Sequence, residues 1–129
     1  LLTMAVCGQS DQTFNNQLGL SLVGTYATGA FDEGAAEIAA HDPATQRVFL
    51  VNADTKTVDA IDISDPSAPS FLFSIDLTPY GEQANSVDVR DGVVFAAVEN
   101  TVKQALGKVV FFDTDGNYIN DVTVGALPD

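Results

Sequence analysis

The chain has 129 residues and a formal net charge of −13, from 18 acidic and 5 basic residues. Nucleic-acid binding depends on clustered lysine and arginine, and an anionic membrane would repel so acidic a chain. No run reaches the roughly 18 apolar residues of a transmembrane helix. We therefore expect one acidic domain with no nucleic-acid or anionic-membrane partner and no transmembrane segment. Its charge balance is compatible with high salt, with divalent cations or simply with solubility.

The N-terminal segment, residues 1–17, is an apolar run followed by a polar tether. The run LLTMAVC ends in the only cysteine, Cys7, so no internal disulfide is possible. This pattern resembles the end of a bacterial lipoprotein signal peptide, whose cysteine is lipidated after cleavage. Val6 departs from it, since a small residue usually precedes that cysteine, and no basic segment comes first. The alternatives are a leader with a lipid anchor on Cys7 and a buried strand or helix turn in which Cys7 packs as a small hydrophobe.

After a predicted strand within residues 18–29, a first unit of four short apolar runs covers residues 36–77. The run RVFLVN is too short for a helix and rich in β-branched and aromatic residues, which favours a buried strand. Pro66 and Pro69 keep their segment out of a central sheet. In the last run, alternation predicts one face shared by Phe71, Phe73, Ile75 and Leu77. The predicted strands of this unit are 37–41, 47–52, 57–63 and 70–77.

A second unit, residues 85–124, repeats this plan, with predicted strands at 85–90, 93–99, 108–113 and 116–124. Asp91-Gly92 is a strong hairpin signal. A four-stranded repeat of roughly 40 to 50 residues is typical of a β-propeller blade, and closed propellers have about four to eight blades. We therefore predict an all-β, propeller-like fragment of two four-stranded antiparallel blades with an N-terminal strand, a partial domain over 18–129. The remaining blades, or other copies of the chain in a homo-oligomer, would complete it.

Corresponding positions of the two units predict a polar rim near the axis of such a propeller. Glu37 opens the first strand of one unit, Ser86 opens that of the next, and Asp129 would open a third. Neighbouring strands are antiparallel, so the ends of the second strands, Asn52 and Glu99, should lie beside these positions.

Carboxylate and amide oxygens from several loops suit Ca²⁺, which accepts about six to eight oxygen ligands in loose geometry. The alternative is that these polar residues cap strand ends or hold a neighbouring blade. His41, the only histidine, cannot support a zinc site or a histidine-based triad. The predicted metal ligands are Glu37, Glu99, Asp129, Asn52 and Glu33, and the predicted ligand rim adds Ser86, Asn85 and Asp32.

Four segments also carry a family resemblance: TGAFDEGAAEIAAHDPATQRVFLVNADTKTVDAIDISDPSAP, ANSVDVRDGVVFAAVE, GKVVFFDTDG and VTVGALPD. They resemble the opening blades of the choice-of-anchor I propeller domain, which is related to mesenchyme-specific cell-surface glycoproteins. The resemblance implies a secreted or surface-anchored protein with further blades after GALPD. Some members occur alongside phosphatase or phytase-like esterase activity, or in calcium mineralisation. The resemblance matches five residues to recurrent polar positions of the family: Glu33, Glu37, Asn52, Asn85 and Asp129.

Three functions follow as hypotheses. The first is an extracellular or cell-surface module with a binding or structural role and bound Ca²⁺, secreted or lipid-anchored in a bacterial envelope. The second is a metal-dependent phosphoesterase, in which clustered carboxylates hold cations that activate water. The third is a self-assembling surface or filament subunit, because open sheet edges and faces invite pairing with other copies. The sequence predicts no specific catalytic residue.

Overall fold

The computed structural model describes residues 2–5, 18–29 and 36–129. Within them the third to sixth strands form one antiparallel four-stranded sheet in chain order, the seventh to tenth form a second, and the first strand pairs with the second. No helix occurs in these residues, and the predicted all-β fold with two four-stranded sheets and an N-terminal strand is confirmed. The strands are β1 (Leu2–Ala5), β2 (Leu22–Tyr26), β3 (Ala39–Asp42), β4 (Arg47–Asn52), β5 (Thr57–Asp62), β6 (Ser70–Asp76), β7 (Gln83–Arg90), β8 (Val93–Glu99), β9 (Lys108–Asp113) and β10 (Tyr118–Thr123).

Three of the predicted strands, β4, β8 and β9, have the predicted bounds, and the hairpin turn between β7 and β8 has the expected backbone. Asp91 and Gly92 have φ values of 52° and 79°. Both lie in the left-handed region that a type I′ turn requires, and its twist matches that of the flanking strands. The local turn chemistry therefore sets the register of this hairpin.

The β6 strand departs from the predicted alternation. Its pairing with β5 shifts register, so that Phe73 lies opposite Ala60 while Phe71 lies opposite Ile61. Neighbouring residues of β5 point to opposite faces, so the bulge separates Phe71 from Phe73. Phe71 is 50% exposed, whereas Ile75 is buried. The prediction of one shared face was wrong for Phe71, because alternation alone does not reveal a bulge.

The two four-stranded sheets pack face to face through one apolar core. The β7 strand lies against β3, β4 and β5 of the first sheet. This layering is consistent with two neighbouring propeller blades. The buried residues of the core are Phe49, Val51, Val58, Ala60, Ile75 and Leu77 from the first sheet and the residue that follows β6, and Ala84, Val87, Val94, Ala96, Val98, Val110 and Phe112 from the second sheet.

Ionic contacts join the sheets at both ends of β4. At one end Arg47 Nη1 donates to the carbonyl oxygen of Thr114 (2.6 Å) and to Asp115 Oδ1 (2.8 Å). At the other end Lys56 forms an ion pair with Glu82. In both contacts the first sheet supplies the cation and the second sheet, or the connection leading into it, supplies the acid.

We expect Gly81→Ala to lower the free energy of unfolding by about 2 kcal/mol, because the chain is tightly packed there. A Cβ at Gly81 would lie 2.3 Å from the carbonyl oxygen of Glu99 and 2.8 Å from Val98 Cγ1. Urea denaturation measures the change. Gly125→Ala is the matched control, since a Cβ there meets nothing within 4 Å. Equal effects of the two substitutions would contradict the argument.

Asp42 should make stability depend on pH. Its buried carboxylate accepts the Thr45 hydroxyl (2.6 Å) and the backbone N–H groups of Ala44 and Thr45 (both 3.2 Å). The hydroxyl bond above all holds the pKa of Asp42 below its usual value. A lowered folded-state pKa contributes stability above the unfolded pKa, near 3.9, and that contribution is lost as the pH falls through the folded pKa.

We therefore expect Asp42→Asn to lose less stability than the parent chain when the pH falls from about 5 to about 2. Urea denaturation across that range tests this. Asp91→Asn, which changes the same charge at an exposed turn, should keep the parent pH dependence. An unchanged slope in Asp42→Asn would show that the Thr45 bond contributes nothing.

Candidate functional site

The second sheet buries one face in the core and leaves the other open. Alternation along the paired strands β7, β8 and β9 defines the side chains of this second face, which we call the open face. A shallow depression of about 180 Å³ lies on it and is lined by Ser86, Val87, Asp88, Phe95, Ala97, Val109 and Asp129. The residues at the centre of the open face are Ser86, Asp88, Phe95, Ala97, Val109 and Phe111, and the same alternation adds Arg90, Val93, Glu99 and Asp113 at its ends.

The C-terminal residues fold back across one end of this sheet. Asn85 Nδ2 donates to the carbonyl oxygen of Pro128 (3.0 Å). Gly107 donates its N–H to the carbonyl oxygen of Gly125 (3.1 Å). These bonds bring Asp129 to the depression beside Ser86. Of the predicted rim, Ser86, Asn85 and Asp129 are thus close together, and Asp88 is a further carboxylate that the sequence analysis did not single out.

Glu99 ends β8 on the same side of the sheet as Ala97, because side chains two residues apart in a strand share a face. It is only 4% exposed. A Cβ built on Gly107 would lie 2.5 Å from Pro128 Cδ, so Pro128 covers this end of the sheet. Among the described residues, no hydrogen bond or ion pair reaches the Glu99 carboxylate. Every polar side-chain atom that is completely shielded from solvent in the described residues has a hydrogen-bond partner. Because the Glu99 carboxylate has no such partner, it keeps an opening to solvent.

Asn52 lies elsewhere, in a polar network on the outer face of the first sheet. Its Nδ2 donates to Asp59 Oδ2 (2.9 Å). Asp59 Oδ1 also accepts the hydroxyls of Thr57 (2.8 Å) and Ser74 (2.6 Å). Asp59 is buried. The sequence analysis missed it, although an aspartate inside the apolar run TVDAIDI was a signal for such a network.

Asn52 and Glu99 therefore point away from the shared core in opposite directions. Val51 faces the core, so Asn52, one residue later, faces outward from the first sheet. In the second sheet Val98 faces the core, and Glu99 faces outward on the far side. The two side chains therefore lie on the outer faces of different sheets.

The other predicted site residues are distributed as follows. Glu37 is exposed, and its N–H donates to the carbonyl oxygen of Val51 (3.1 Å). Asp32, Glu33 and Cys7 lie outside the described residues. Within the described part of the chain, no group of three or more histidine, cysteine, aspartate or glutamate side chains is arranged to hold a metal ion.

The β2 strand lies against part of the outer face of the first sheet, in contrast to the open face. Tyr26 packs against a second apolar cluster of Val48, Ile61 and Ile63. Burial, and to a smaller extent the charge of Asp59, raise the pKa of Tyr26. Gly24 is required because a Cβ there would lie 2.0 Å from the carbonyl oxygen of Pro66. The two outer faces thus differ. The β2 strand lies against that of the first sheet, and no strand that the structure describes covers that of the second.

A protein-family model matches more than two thirds of the chain. The model of the Choice-of-anchor I domain matches residues 37–129, which include both four-stranded sheets. No curated protein and no solved structure gives a significant match. Across the described ranges, we find no helix with the length and apolar character needed to cross a membrane.

Proposed function

We propose, from the premise that the chain belongs to the Choice-of-anchor I domain family, that it is a binding and structural module of a cell-surface protein. The family match over both sheets is the observation that carries the proposal. Packed antiparallel blades form a rigid scaffold, and polar residues at strand ends are well placed to contact ligands. The acidic composition, with its net charge of −13, favours cationic ligands over phosphate-bearing ones.

Protease treatment of intact cells tests the surface location. A protease that cannot enter cells is added to intact cells. An antibody detects the native protein before and after this treatment. We expect cleavage in intact cells, under conditions in which a cytoplasmic control protein remains whole. Protection of the native protein until the cells are lysed would contradict the proposal.

We also propose that Ca²⁺ binds at the Glu99 end of the second sheet. Two observations support this: the Glu99 carboxylate has no partner among the described residues, although the residue is only 4% exposed, and Asp129 lies on the same side of the sheet. Further oxygen ligands would add to them, since Ca²⁺ accepts about six to eight oxygens. Such binding would link otherwise separate loops and stabilise the folded chain.

Thermal unfolding tests the calcium proposal. Millimolar Ca²⁺ should raise the midpoint by about 5 °C relative to chelator, because a ligand that binds only the folded state stabilises it. The same concentration of Mg²⁺ controls for ionic strength. Glu99→Gln should abolish the shift, whereas Asp91→Asn, at the opposite end of the sheet, should retain it. A midpoint that Ca²⁺ does not move would rule out the metal.

A further inference from the structure

We propose that an aromatic and polar surface on β10 binds a neutral sugar ring, one hexopyranose unit of an oligosaccharide. This inference rests on the proposed role as a binding module of a cell-surface protein, and it names the class of ligand. We call the surface the Tyr118 platform. It lies on the core side of the second sheet, opposite to the open face, and consists of Tyr80, Tyr118, Asp121, Thr123 and Lys108.

A β-bulge places Tyr118 and Asp121 on the same side of β10. The pairing of β10 with β9 shifts register between Tyr118 and Asn120. Tyr118 lies opposite Phe112 and Asp121 lies opposite Val110, two residues that are buried in the core. In a regular strand, residues three apart point to opposite faces, so these side chains meet because of the bulge. Bulges often re-aim a side chain beside a functional site.

The Tyr118 ring is held in one orientation and presents a face to solvent. One of its faces stacks on Tyr80, with ring centroids 5.5 Å apart and 6° between the ring planes. Phe112 meets it edge to face at 6.4 Å. Tyr118 is nevertheless 49% exposed, so much of this exposed area belongs to its second face and its hydroxyl edge. A ring fixed in advance loses little conformational entropy when a ligand binds.

Hydrogen bonds also fix the polar groups beside the ring. The Tyr118 hydroxyl donates to Asp121 Oδ2 (2.9 Å), and Lys108 Nζ lies 3.1 Å from Asp121 Oδ1. The bond from Lys108, followed by that from Tyr118, holds the pKa of Asp121 below its usual value, so its carboxylate is an ionised acceptor. The Asp121 and Lys108 side chains are 24% and 37% exposed, which leaves them accessible to a ligand. The register adds Thr123, an exposed residue opposite Lys108.

This combination of groups favours a neutral ring that carries hydroxyls. Asp121 and Lys108 neutralise each other, so the platform favours neither sign of charge in a ligand. A purely apolar ligand would remove water from this ion pair without replacing its hydrogen bonds. The negative face of the Tyr118 ring attracts polarised C–H groups. A hexopyranose presents such C–H groups on one side and hydroxyls around its edge, which can both donate to a carboxylate and accept from an ammonium group.

The described part of the fold leaves the platform accessible. The β10 strand is the edge strand of its sheet and pairs with β9 alone. The two sheets contact each other mainly through β7, which lies against β3, β4 and β5 at the other edge. A further blade stacked on the open face would lie on the opposite side of the second sheet. The platform is therefore a surface separate from the packing of one blade on the next.

Nuclear magnetic resonance titration of the isotope-labelled full chain tests the inference. The probes are cellohexaose, maltohexaose and mannohexaose, each added in the presence of chelator. We expect saturable shifts of the amide signals around Tyr118 and Asp121 with at least one of them. Mannitol, which has similar hydroxyls but no ring, should cause no such shifts. Tyr118→Ala and Asp121→Asn should each weaken the affinity about tenfold, through loss of the ring face and of a charge-assisted hydrogen bond respectively.

Matched variants separate binding at the platform from other effects. Tyr118→Phe keeps the ring and should lose less affinity than Tyr118→Ala. Val122→Ala changes a residue that is 48% exposed on the other side of β10, and it should leave the affinity unchanged. Asp54→Asn changes the net charge as Asp121→Asn does, at an exposed turn of the first sheet, and should also have no effect. Circular dichroism establishes that each variant is folded.

Three results would overturn the inference. The first is the absence of saturable shifts with all three oligosaccharides. The second is an equal loss of affinity in Tyr118→Ala and Val122→Ala, which would place the binding elsewhere. The third is binding of mannitol as tight as that of the oligosaccharides, which would leave the ring without a role. A chain that is cleaved on intact cells but binds none of these sugars would keep its proposed location, so the two proposals can fail separately.

Discussion

Phe49→Ala should lower the free energy of unfolding by about 3 to 5 kcal/mol, the range for removing a fully buried phenylalanine. Phe49 is 0% exposed and belongs to the core between the two sheets. Its cross-strand neighbours are the small residues Ala40 and Ala60. These cannot move enough atoms into the vacated space, so a cavity remains and the loss lies toward the upper part of the range. Urea denaturation followed by circular dichroism measures it.

Phe71→Ala is the matched control. Phe71 has the same side chain in the same sheet but is 50% exposed. We expect it to cost less than about 1 kcal/mol, because most of its apolar area already contacts water. Similar losses for Phe49→Ala and Phe71→Ala would contradict the packing of the two sheets through a shared core.

Asp59→Ala should cost about 3 kcal/mol, because it removes three hydrogen bonds to a buried carboxylate and leaves the buried Asn52 amide without its acceptor. The Asp59 carboxylate accepts Asn52 Nδ2 (2.9 Å), the Thr57 hydroxyl (2.8 Å) and the Ser74 hydroxyl (2.6 Å). Replacement by alanine removes all three bonds at once. Asp54→Ala, in the exposed turn before β5, is the control and should change stability little.

A double-mutant cycle isolates the Asn52–Asp59 bond. Asn52→Ala alone should cost less than Asp59→Ala, because it removes one of the three bonds to the carboxylate. The double variant should be more stable than the sum of the two losses predicts, since each single change already removes their shared bond. Additive losses would show that the two side chains contribute independently, and the polar network would then not be a unit.

The strands were predictable from the sequence because their signals are local. Alternating or continuous apolar runs mark β4, β8 and β9, and prolines exclude the segment before β6 from the sheet. Asp91-Gly92 has the left-handed backbone that its residue types favour. The family resemblance, carried by the spacing of the quoted segments, agrees with the match over residues 37–129.

The grouping of the polar residues was less predictable, because it depends on which face each strand turns to the core. Pairing the strand ends by position assigned Asn52 and Glu99 to one rim. In the structure Asn52 is bonded to Asp59 on one outer face, and Glu99 lies on the other. A shift of one residue exchanges the faces of a strand, so positional counting cannot decide this.

The sequence by itself determined the elements of this protein: an all-β chain of two four-stranded units, with an acidic surface and turns at defined positions. Only the tertiary structure decided which side chains share a surface. Packing one sheet on the other buries Phe49 and turns Glu99 outward, and the return of the chain at Pro128 brings Asp129 to Ser86. Strand identity follows from neighbouring residues, whereas a shared surface follows from contacts between residues distant in the chain.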